Sequence, residues 1–400
     1  MRENRLGWLD ALRGYAAVVV AAFHLSPVIL GSATHLQIYR AFDLGKYAVL
    51  LFFLVSGYVI PMSLERHGSL RKFWVGRLCR IYPAYLVTIV LAAGLTAAGL
   101  FRLPEQLRTE TTASVLAHAT MLQDLLGVRG IVRPFWTLSF EMLFYLLVAG
   151  LFAWRLHRFS GWWAGGLTLV AVVGGGGLPD ALLSGTGAAR TIVAAVAAVV
   201  VAGVVGAYQS SRPGLVRVAG GVSLSVIVLA IANGHATRWV TSGSSAQALL
   251  MLAVMFAGTV IYRVEHRQIG RSAAILALGV VLAGVAAHPW QGGGWCAIAV
   301  AGTFAVAFAL RHRSMPGVFG WLGTVSYSLY LLHLLVLAVV TRLTSDKPLI
   351  LLGFAAGTLV AAWACHRWVE QPGQRLAKIL LATQGETTRT GSIGKQRESV

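Results

Sequence analysis

The chain has 400 residues, 57% of them hydrophobic and only 12% charged, with a formal net charge of +19. Apolar runs of about 17 to 22 residues, the length at which an α-helix crosses a bilayer, recur from one end of the chain to the other. This composition excludes a soluble domain and predicts an all-α fold, a polytopic integral membrane helix bundle.

The apolar runs predict about 10–12 transmembrane helices. In chain order they are residues 9–30, 46–64, 83–101, 134–154, 162–178, 190–208, 215–233, 246–263, 271–288, 292–310, 321–341 and 349–368. The runs 162–178 and 271–288 are short and rich in Gly and Ala, and each is either a full or a partial span. We expect residues 1–370 to form one transmembrane domain and residues 371–400 to form a disordered cytoplasmic tail.

The distribution of positive charge predicts the orientation. With the N-terminus inside, about two thirds of the 33 Lys and Arg residues lie in cytoplasmic segments, so both termini are expected in the cytoplasm. We expect a multi-pass protein of the plasma or inner membrane. Topology and the anionic membrane lipids of the inner leaflet explain most of the net charge, and no nucleic-acid partner is required. Cys79, Cys296 and Cys365 lie far apart and predict no metal site.

The first apolar run, LDALRGYAAVVVAAFHL (residues 9–25), contains two basic residues, Arg13 and His24. Eleven residues of helix turn through about 1,100°, so Arg13 and His24 share one face and lie about 16 Å apart along the axis. An ionisable side chain inside a membrane costs several kcal/mol and therefore marks a candidate functional site. The alternative is an arginine that reaches the headgroups and a histidine that is hydrogen-bonded within the bundle.

Two other ionisable residues are predicted at a depth similar to that of His24. Glu141, in FWTLSFEMLFYLL, and His333, in SYSLYLLHLLVL, each lie about 10 to 12 Å below the outer end of their spans. Since a buried Glu without a partner is protonated, we expect Glu141 to pair with His24 and keep its imidazole basic. The sequence thus predicts one catalytic site that contains His24, Glu141 and His333, with Ser326 and Tyr330 within two turns of His333.

The basic stretch RKFWVGRLCRIYP, after the second span, places Arg77 and Arg80 one turn apart on the cytoplasmic side, with Pro83 at the start of the next helix. The planar guanidinium group suits phosphate, which predicts a phosphate clamp; the alternative is a basic loop that rests on anionic lipid. Ser56, in FFLVSG, is a candidate nucleophile without an adjacent base. Helix packing through Ser56 and Gly57 is the other interpretation.

These motifs, in this order, resemble those of the membrane-bound acyltransferase 3 family. The matching segments are LDALRGYAAVVVAAFH, FFLVSGYVI, RLCRIYPAYL, FWTLSFEMLFYLL, SYSLYLLHLLVL and HRWVEQPGQRL. The resemblance implies transfer of an acyl group from acyl-CoA to a hydroxyl, mostly of a sugar. It implies that His24 is the catalytic residue, that Glu141 is a functional acid, and that Arg13, Arg77 and Arg80 are the arginines that bind coenzyme A.

On this interpretation acyl-CoA is a co-substrate, and no cofactor is bound. His24 is expected to act as general base on the acceptor hydroxyl, directly or through an acyl-histidine. Ser56 and Tyr330 are expected among the residues that bind substrate. The acceptor is expected to be a carbohydrate, a lipid-linked sugar or a glycosylated metabolite, reached from outside or from the membrane plane.

Two other functions compete with this one. In a secondary transporter or flippase, the buried Arg, His and Glu would form a proton relay or an anion site. An enzymatically silent family member would act as a membrane scaffold. Thr137 stands where the family commonly has Ser, and Gln371 stands where it commonly has Arg, which leaves the role of the end motif open.

Overall fold

A computed structural model describes residues 7–237, 242–290 and 293–382, and over these residues the fold is all-α, without a β-strand. The α-helices are, in chain order, α1 (Gly7–Leu30), α2 (Ser32–Ala41), α3 (Leu44–His67), α4 (Leu70–Ala97), α5 (Glu105–Thr109), α6 (Thr111–Thr120), α7 (Trp136–Ala153), α8 (Ser160–Gly174), α9 (Gly187–Tyr208), α10 (Pro213–Ser225), α11 (Ile227–Asn233), α12 (Ser245–Glu265), α13 (Arg271–Ala287), α14 (Gly293–Ala309), α15 (Gly317–Leu343) and α16 (Lys347–Cys365). The predicted fold class is therefore confirmed.

Each of the twelve predicted spans contains a helix, but not every helix has the length of a full span. Among the described residues, nine helical runs are long and apolar enough to cross a membrane. Helices α8, α13 and α14 have 15, 17 and 17 residues. At 1.5 Å per residue they are shorter than a hydrocarbon core of about 30 Å. The protein is thus a multi-pass membrane protein, and its described residues contain nine helical runs of full-span length where the sequence predicts about 10–12 transmembrane helices.

Several helices begin at a polar residue that caps the first turn. The side chains of Asp43, Ser69, Thr186, Ser244 and Asp346 each accept a hydrogen bond from the backbone N–H three residues later. Such caps pair backbone donors that have no partner within the helix. The cap at Ser69 also corrects one prediction. Helix α4 begins there, so Pro83 lies inside this helix instead of at its first turn.

Glycines allow two pairs of helices to cross closely. A Cβ at Gly57 of α3 would lie 1.7 Å from the carbonyl oxygen of Met255, and one at Gly258 of α12 would lie 2.1 Å from that of Leu54. A Cβ at Gly14 of α1 would lie 2.8 Å from the backbone nitrogen of Gly323 in α15. Contacts this close require residues without a side chain.

The C-terminal end motif packs against the bundle. After α16 the chain forms one π-helical turn, His366–Glu370, and continues as a helix to residue 382. Glu370 is buried and accepts a hydrogen bond from Ser328, and a Cβ at Gly373 would lie 2.3 Å from the carbonyl oxygen of Cys79. The predicted disordered tail is therefore helical over residues 371–382, because this segment packs on α4; residues 383–400 lie outside the described residues.

Candidate active site

A cavity between α1, α3, α4, α7 and α15 contains most of the predicted substrate-binding residues. Its lining includes Arg13, Ser56, Arg77, Arg80, Thr137, Glu141, Tyr145, Ser326, Tyr327 and Tyr330, and its volume is about 80 Å³. We call it the arginine cavity. Five helices contribute its polar side chains at positions far apart in sequence, so the cavity depends on the fold as a whole.

The arginine cavity carries an excess of positive charge. Arg13 forms an ion pair with Asp10 at 3.3 Å, and the buried Arg77 guanidinium lies over the rings of Phe73 and Tyr145 at 5.6 and 5.4 Å. The only carboxylate among the described lining residues is Glu141, against three guanidinium groups. This combination of charge and planar donors suits an anionic ligand with phosphate groups.

A second and larger cavity contains His24. Its volume is about 590 Å³, and its lining includes Val20, Phe23, His24, His35, Tyr39, Asp43, Lys46, Val49, Arg133, Trp136, Gln247, Trp290 and Tyr330. We call it the histidine cavity. Behind His24 lies His333, which is fully buried, and the two imidazoles meet with His333 Nε2 at 3.0 Å from His24 Nδ1.

The hydrogen bonds of this histidine pair fix which nitrogen carries a proton. His333 Nδ1 lies 3.2 Å from the carbonyl oxygen of Leu329, which can only accept, so Nδ1 donates. In the neutral ring Nε2 is then the acceptor, and His24 Nδ1 must donate to it. Nε2 of His24 is consequently left with a lone pair. The pair thus holds His24 in the tautomer that a general base needs.

Polar and aromatic side chains surround the rest of the histidine cavity. Lys46 Nζ lies 5.1 Å from the ring centroid of Trp136 and 3.4 Å from Gln247 Oε1. Asp43 accepts a hydrogen bond from the backbone N–H of Lys46 at 2.8 Å. Burial raises the pKa of Asp43, and that hydrogen bond and the charge of Lys46 oppose the shift. This mixture of ring faces and hydrogen-bonding groups is typical of a site for a polar organic molecule.

The two cavities share a wall. Val49 and Tyr330 are buried and line both of them. The hydroxyl of Tyr330 lies 2.8 Å from Thr137 Oγ1 and 3.2 Å from the carbonyl oxygen of Pro134. These contacts anchor the ring of Tyr330 between α7 and α15. A long molecule that enters the arginine cavity therefore meets His24 only across this wall.

The structure brings the predicted residues together in two groups instead of one. His24 and His333 are in contact, as expected. Arg13, Arg77 and Glu141 line the other cavity, together with Arg80 and Ser56. The expected pairing of Glu141 with His24 is wrong: Glu141 accepts from the hydroxyl of Tyr145 at 2.5 Å, one turn further along α7.

The reason for this error is geometric. Counting residues along a helix gives the depth of a side chain but not the direction in which the helix presents it. Sequence reasoning also missed Tyr145, although its spacing of four residues from Glu141 is a pairing signal. It missed Asp43 and Gln247 as well, because both lie near helix starts, where polar residues are common as caps.

Comparison with known proteins identifies the family. Residues 6–367 match the family model described as "Acyltransferase domain" of the acyltransferase 3 family. The chain is 31% identical over 153 residues to acyltransferase MdmB of Streptomyces mycarofaciens. The aligned segment covers 36% of this chain and 38% of that protein. It is 28% identical over 153 residues to the peptidoglycan O-acetyltransferase OatA of Listeria monocytogenes, covering 35% of this chain and 23% of that protein.

A third relative has a similar extent of match. The O-acetyltransferase OatA of Staphylococcus aureus is 27% identical over 165 residues, which is 38% of this chain and 25% of that protein. The chain thus aligns with less than half the length of each of these curated relatives. No solved structure matches it. Because the family model covers nearly all of the sequence, the chain belongs to the acyltransferase 3 family.

Proposed function

We propose that the protein transfers an acyl group, in the simplest case acetyl, from acyl-CoA to a hydroxyl of a carbohydrate or glycosylated acceptor. The observation that carries the proposal is the pair of adjoining cavities: one lined by Arg13, Arg77 and Arg80, the other containing His24, with a shared wall between them. A donor with charged phosphates at one end and an uncharged acyl group at the other fits this arrangement, with the phosphates at the arginines and the acyl group near His24.

The arginine cavity is the proposed site of the coenzyme A phosphates. Guanidinium groups bind phosphate oxygens through two parallel hydrogen bonds, and buried pairs of this kind are stronger than neutral ones. Arg13 and His24 lie about 16 Å apart along α1, a distance comparable to the length of the pantetheine arm. Phosphates held at the arginines would therefore present the thioester close to His24.

The proposed reaction is a direct acyl transfer. Nε2 of His24 takes the proton of the acceptor hydroxyl, and the hydroxyl oxygen attacks the thioester carbonyl. The carbon–sulfur bond breaks, an ester forms, and the coenzyme A thiolate takes a proton from the imidazolium. His333 acts as a positioning residue, since it holds His24 in the required tautomer. The family relatives named as O-acetyltransferases support an oxygen acceptor.

The proposed orientation follows from the distribution of charge. The positive-inside rule predicts that the N-terminus of α1 lies in the cytoplasm, and Arg13 is closer than His24 to that end. Acyl-CoA would then enter the arginine cavity from the cytoplasm. The acceptor would reach the histidine cavity from the opposite side or from within the membrane.

The test measures free thiol released from acetyl-CoA by the purified protein in nanodiscs. The wild type is compared with His24→Ala and with His67→Ala, a matched control at the exposed end of α3. Thiol release that requires His24 and survives the control substitution supports the proposal. Donor that is neither bound nor consumed by folded wild-type protein contradicts it, and movement of substrate across the membrane without thiol release would identify a transporter.

A further inference from the structure

A groove lined entirely by apolar residues lies between α3, α12, α13 and α14, with a volume of about 370 Å³. The described residues that line it are all Leu, Val, Ile, Ala, Gly or Phe. The innermost residues, such as Val281 and Phe304, are buried, whereas Leu282 at the edge is 39% exposed. The groove is therefore open along one side, where a membrane would surround the bundle.

The groove lies next to the histidine cavity. On α3, Val49 lines the cavity and the next residue, Leu50, lines the groove. Trp290 lines the cavity, and its indole N–H donates to the carbonyl oxygen of Val285 in the groove at 2.6 Å. The sulfur of Cys296 lies 3.6 Å from the carbonyl oxygen of Asp43 in the cavity wall, and its neighbour Ala297 lines the groove. Three separate segments of the chain thus contribute to both the cavity and the groove or connect them by a hydrogen bond.

The groove is about as long as half the thickness of a hydrocarbon core. From Ala297 to Phe308 along α14 it covers eleven residues, or about 16 Å of helix. Half of a hydrocarbon core of about 30 Å is 15 Å. A hydrocarbon chain that starts beside the histidine cavity would follow the groove along α14 to Phe308, one residue before that helix ends.

We infer that the acceptor is a lipid-linked sugar, with its sugar beside His24 in the histidine cavity and its hydrocarbon tail in the groove. The inference rests on the proposed function and specifies its acceptor. Asp43, Gln247 and the rings of Trp136 and Trp290 give the cavity the groups that bind sugar hydroxyls and sugar faces. A tail gains little hydrophobic free energy on leaving the bilayer for a groove. The effect of binding the tail in the groove is to orient the sugar toward His24.

Two glycines provide a matched pair of variants. Gly279 lines the groove and Gly302 does not, yet both lie in apolar helices of 17 residues, and a Cβ at either position would contact nothing within 4 Å. Gly279→Trp therefore fills the groove, and Gly302→Trp adds the same side chain elsewhere. The probe is hexadecyl β-glucoside with a photoreactive diazirine in the middle of its tail. The full chain is studied in phosphatidylcholine nanodiscs.

We expect the probe to label residues of α13 and α14 that line the groove. Excess unlabelled hexadecyl glucoside should abolish the labelling, whereas glucose without a tail should not. Gly279→Trp should lose the labelling, and Gly302→Trp should retain it. Labelling that the unlabelled glycolipid does not reduce would mean that bulk lipid fills the groove, and equal labelling of the two variants would also overturn the inference.

Thiol release from acetyl-CoA, measured on the same samples, separates this inference from the proposed function. The groove shares no lining residue with the arginine cavity, so Gly279→Trp should release thiol at the wild-type rate. If labelling fails while thiol release persists, the acceptor is not lipid-linked, and the acyltransferase proposal stands. If the wild type itself releases no thiol, the proposed function fails, and the assignment of an acceptor fails with it.

Discussion

His24 and His333 occupy equivalent positions relative to the crossing of their helices. Helices α1 and α15 meet at Gly14 and Gly323, and each histidine lies ten residues beyond its glycine. Because the helices run in the same direction, equal steps along both bring the two imidazoles to 3.0 Å from each other. The glycine crossing therefore sets the geometry of the histidine pair from almost three helical turns away.

His333 is predicted to act through His24. His333→Leu removes the acceptor for His24 Nδ1, so we expect kcat to fall by about 10- to 100-fold, with little change in KM for acyl-CoA. His333→Gln offers an amide oxygen as a substitute acceptor and should restore a large part of kcat. Steady-state kinetics on both variants test this role. An equal loss in the two variants, or a loss confined to KM, would contradict it.

Arg77 and Arg80 are predicted to bind the donor without taking part in the chemical step. Replacing either by Ala removes charge-assisted hydrogen bonds that contribute about 1.5–3 kcal/mol, which corresponds to an increase of about 10- to 100-fold in KM for acyl-CoA. We expect kcat to change little. Lys72→Ala is the control, since Lys72 is exposed on the same helix and does not line the cavity. A KM that stays at the wild-type value in both arginine variants would show that the phosphates bind elsewhere.

The glycine crossing is predicted to support both stability and activity. In Gly323→Ala the new methyl group would lie 2.3 Å from the carbonyl oxygen of Asp10, so α1 and α15 must separate. We expect a lower melting temperature and a loss of thiol release. In Gly320→Ala, one turn earlier, the methyl group contacts nothing within 4 Å. That control should be neutral or more stable, because Ala is favoured over Gly in a helix by about 0.5–1 kcal/mol.

A buried acid outside the membrane-spanning helices gives a prediction about pH. Burial raises the pKa of Asp124, between α6 and α7, from 3.8 to about 8, and its Oδ2 has no hydrogen-bond partner in the part of the chain that the structure describes. Between these values the folded state holds a proton that the unfolded state has released. The free energy of unfolding therefore falls as the pH rises through this range.

Asp124→Asn replaces the protonated acid with a neutral side chain of similar shape. We expect the free energy of unfolding of the wild type to fall between pH 6.5 and pH 8, by roughly 1.4 kcal/mol per pH unit at most. The melting temperature should fall with it. The curve of the variant should be flatter. The neighbouring His118, whose pKa burial lowers to about 4, changes charge below this window. Identical pH profiles for the two proteins would show that Asp124 is ionised in the folded state.

The sequence predicts some parts of the site because they depend on one helix at a time. The helical period puts Arg13 and His24 on one face of α1, and the continuous apolar run of residues 321–341 identifies the helix that contains His333. Charged residues are rare in apolar segments because burying a charge in a membrane costs free energy, so those that do occur mark candidate functional positions. These signals are local, and they suffice to select the ionisable residues within the spans, such as Arg13, His24 and Glu141, that line the two cavities.

The parts that could not be predicted depend on how helices face one another. The wall formed by Val49 and Tyr330 consists of two residue types that are ordinary in a membrane helix. The partner of Glu141 depends on the rotation of α7 about its own axis, which no residue count supplies. The groove beside the histidine cavity arises from four helices, and each of its side chains would be equally at home against lipid.

The wall between the cavities also has an electrical consequence. Water that fills a cavity on each side of a thin barrier concentrates the membrane potential across that barrier, and each elementary charge that crosses does work of about 2.3 kcal/mol per 100 mV. An acetyl group is uncharged, so its passage by Val49 and Tyr330 would require no such work. The phosphates of the donor, retained by the arginines, would stay outside the field. The barrier to which Val49 and Tyr330 contribute would then pass a chemical group and still insulate the membrane against ions.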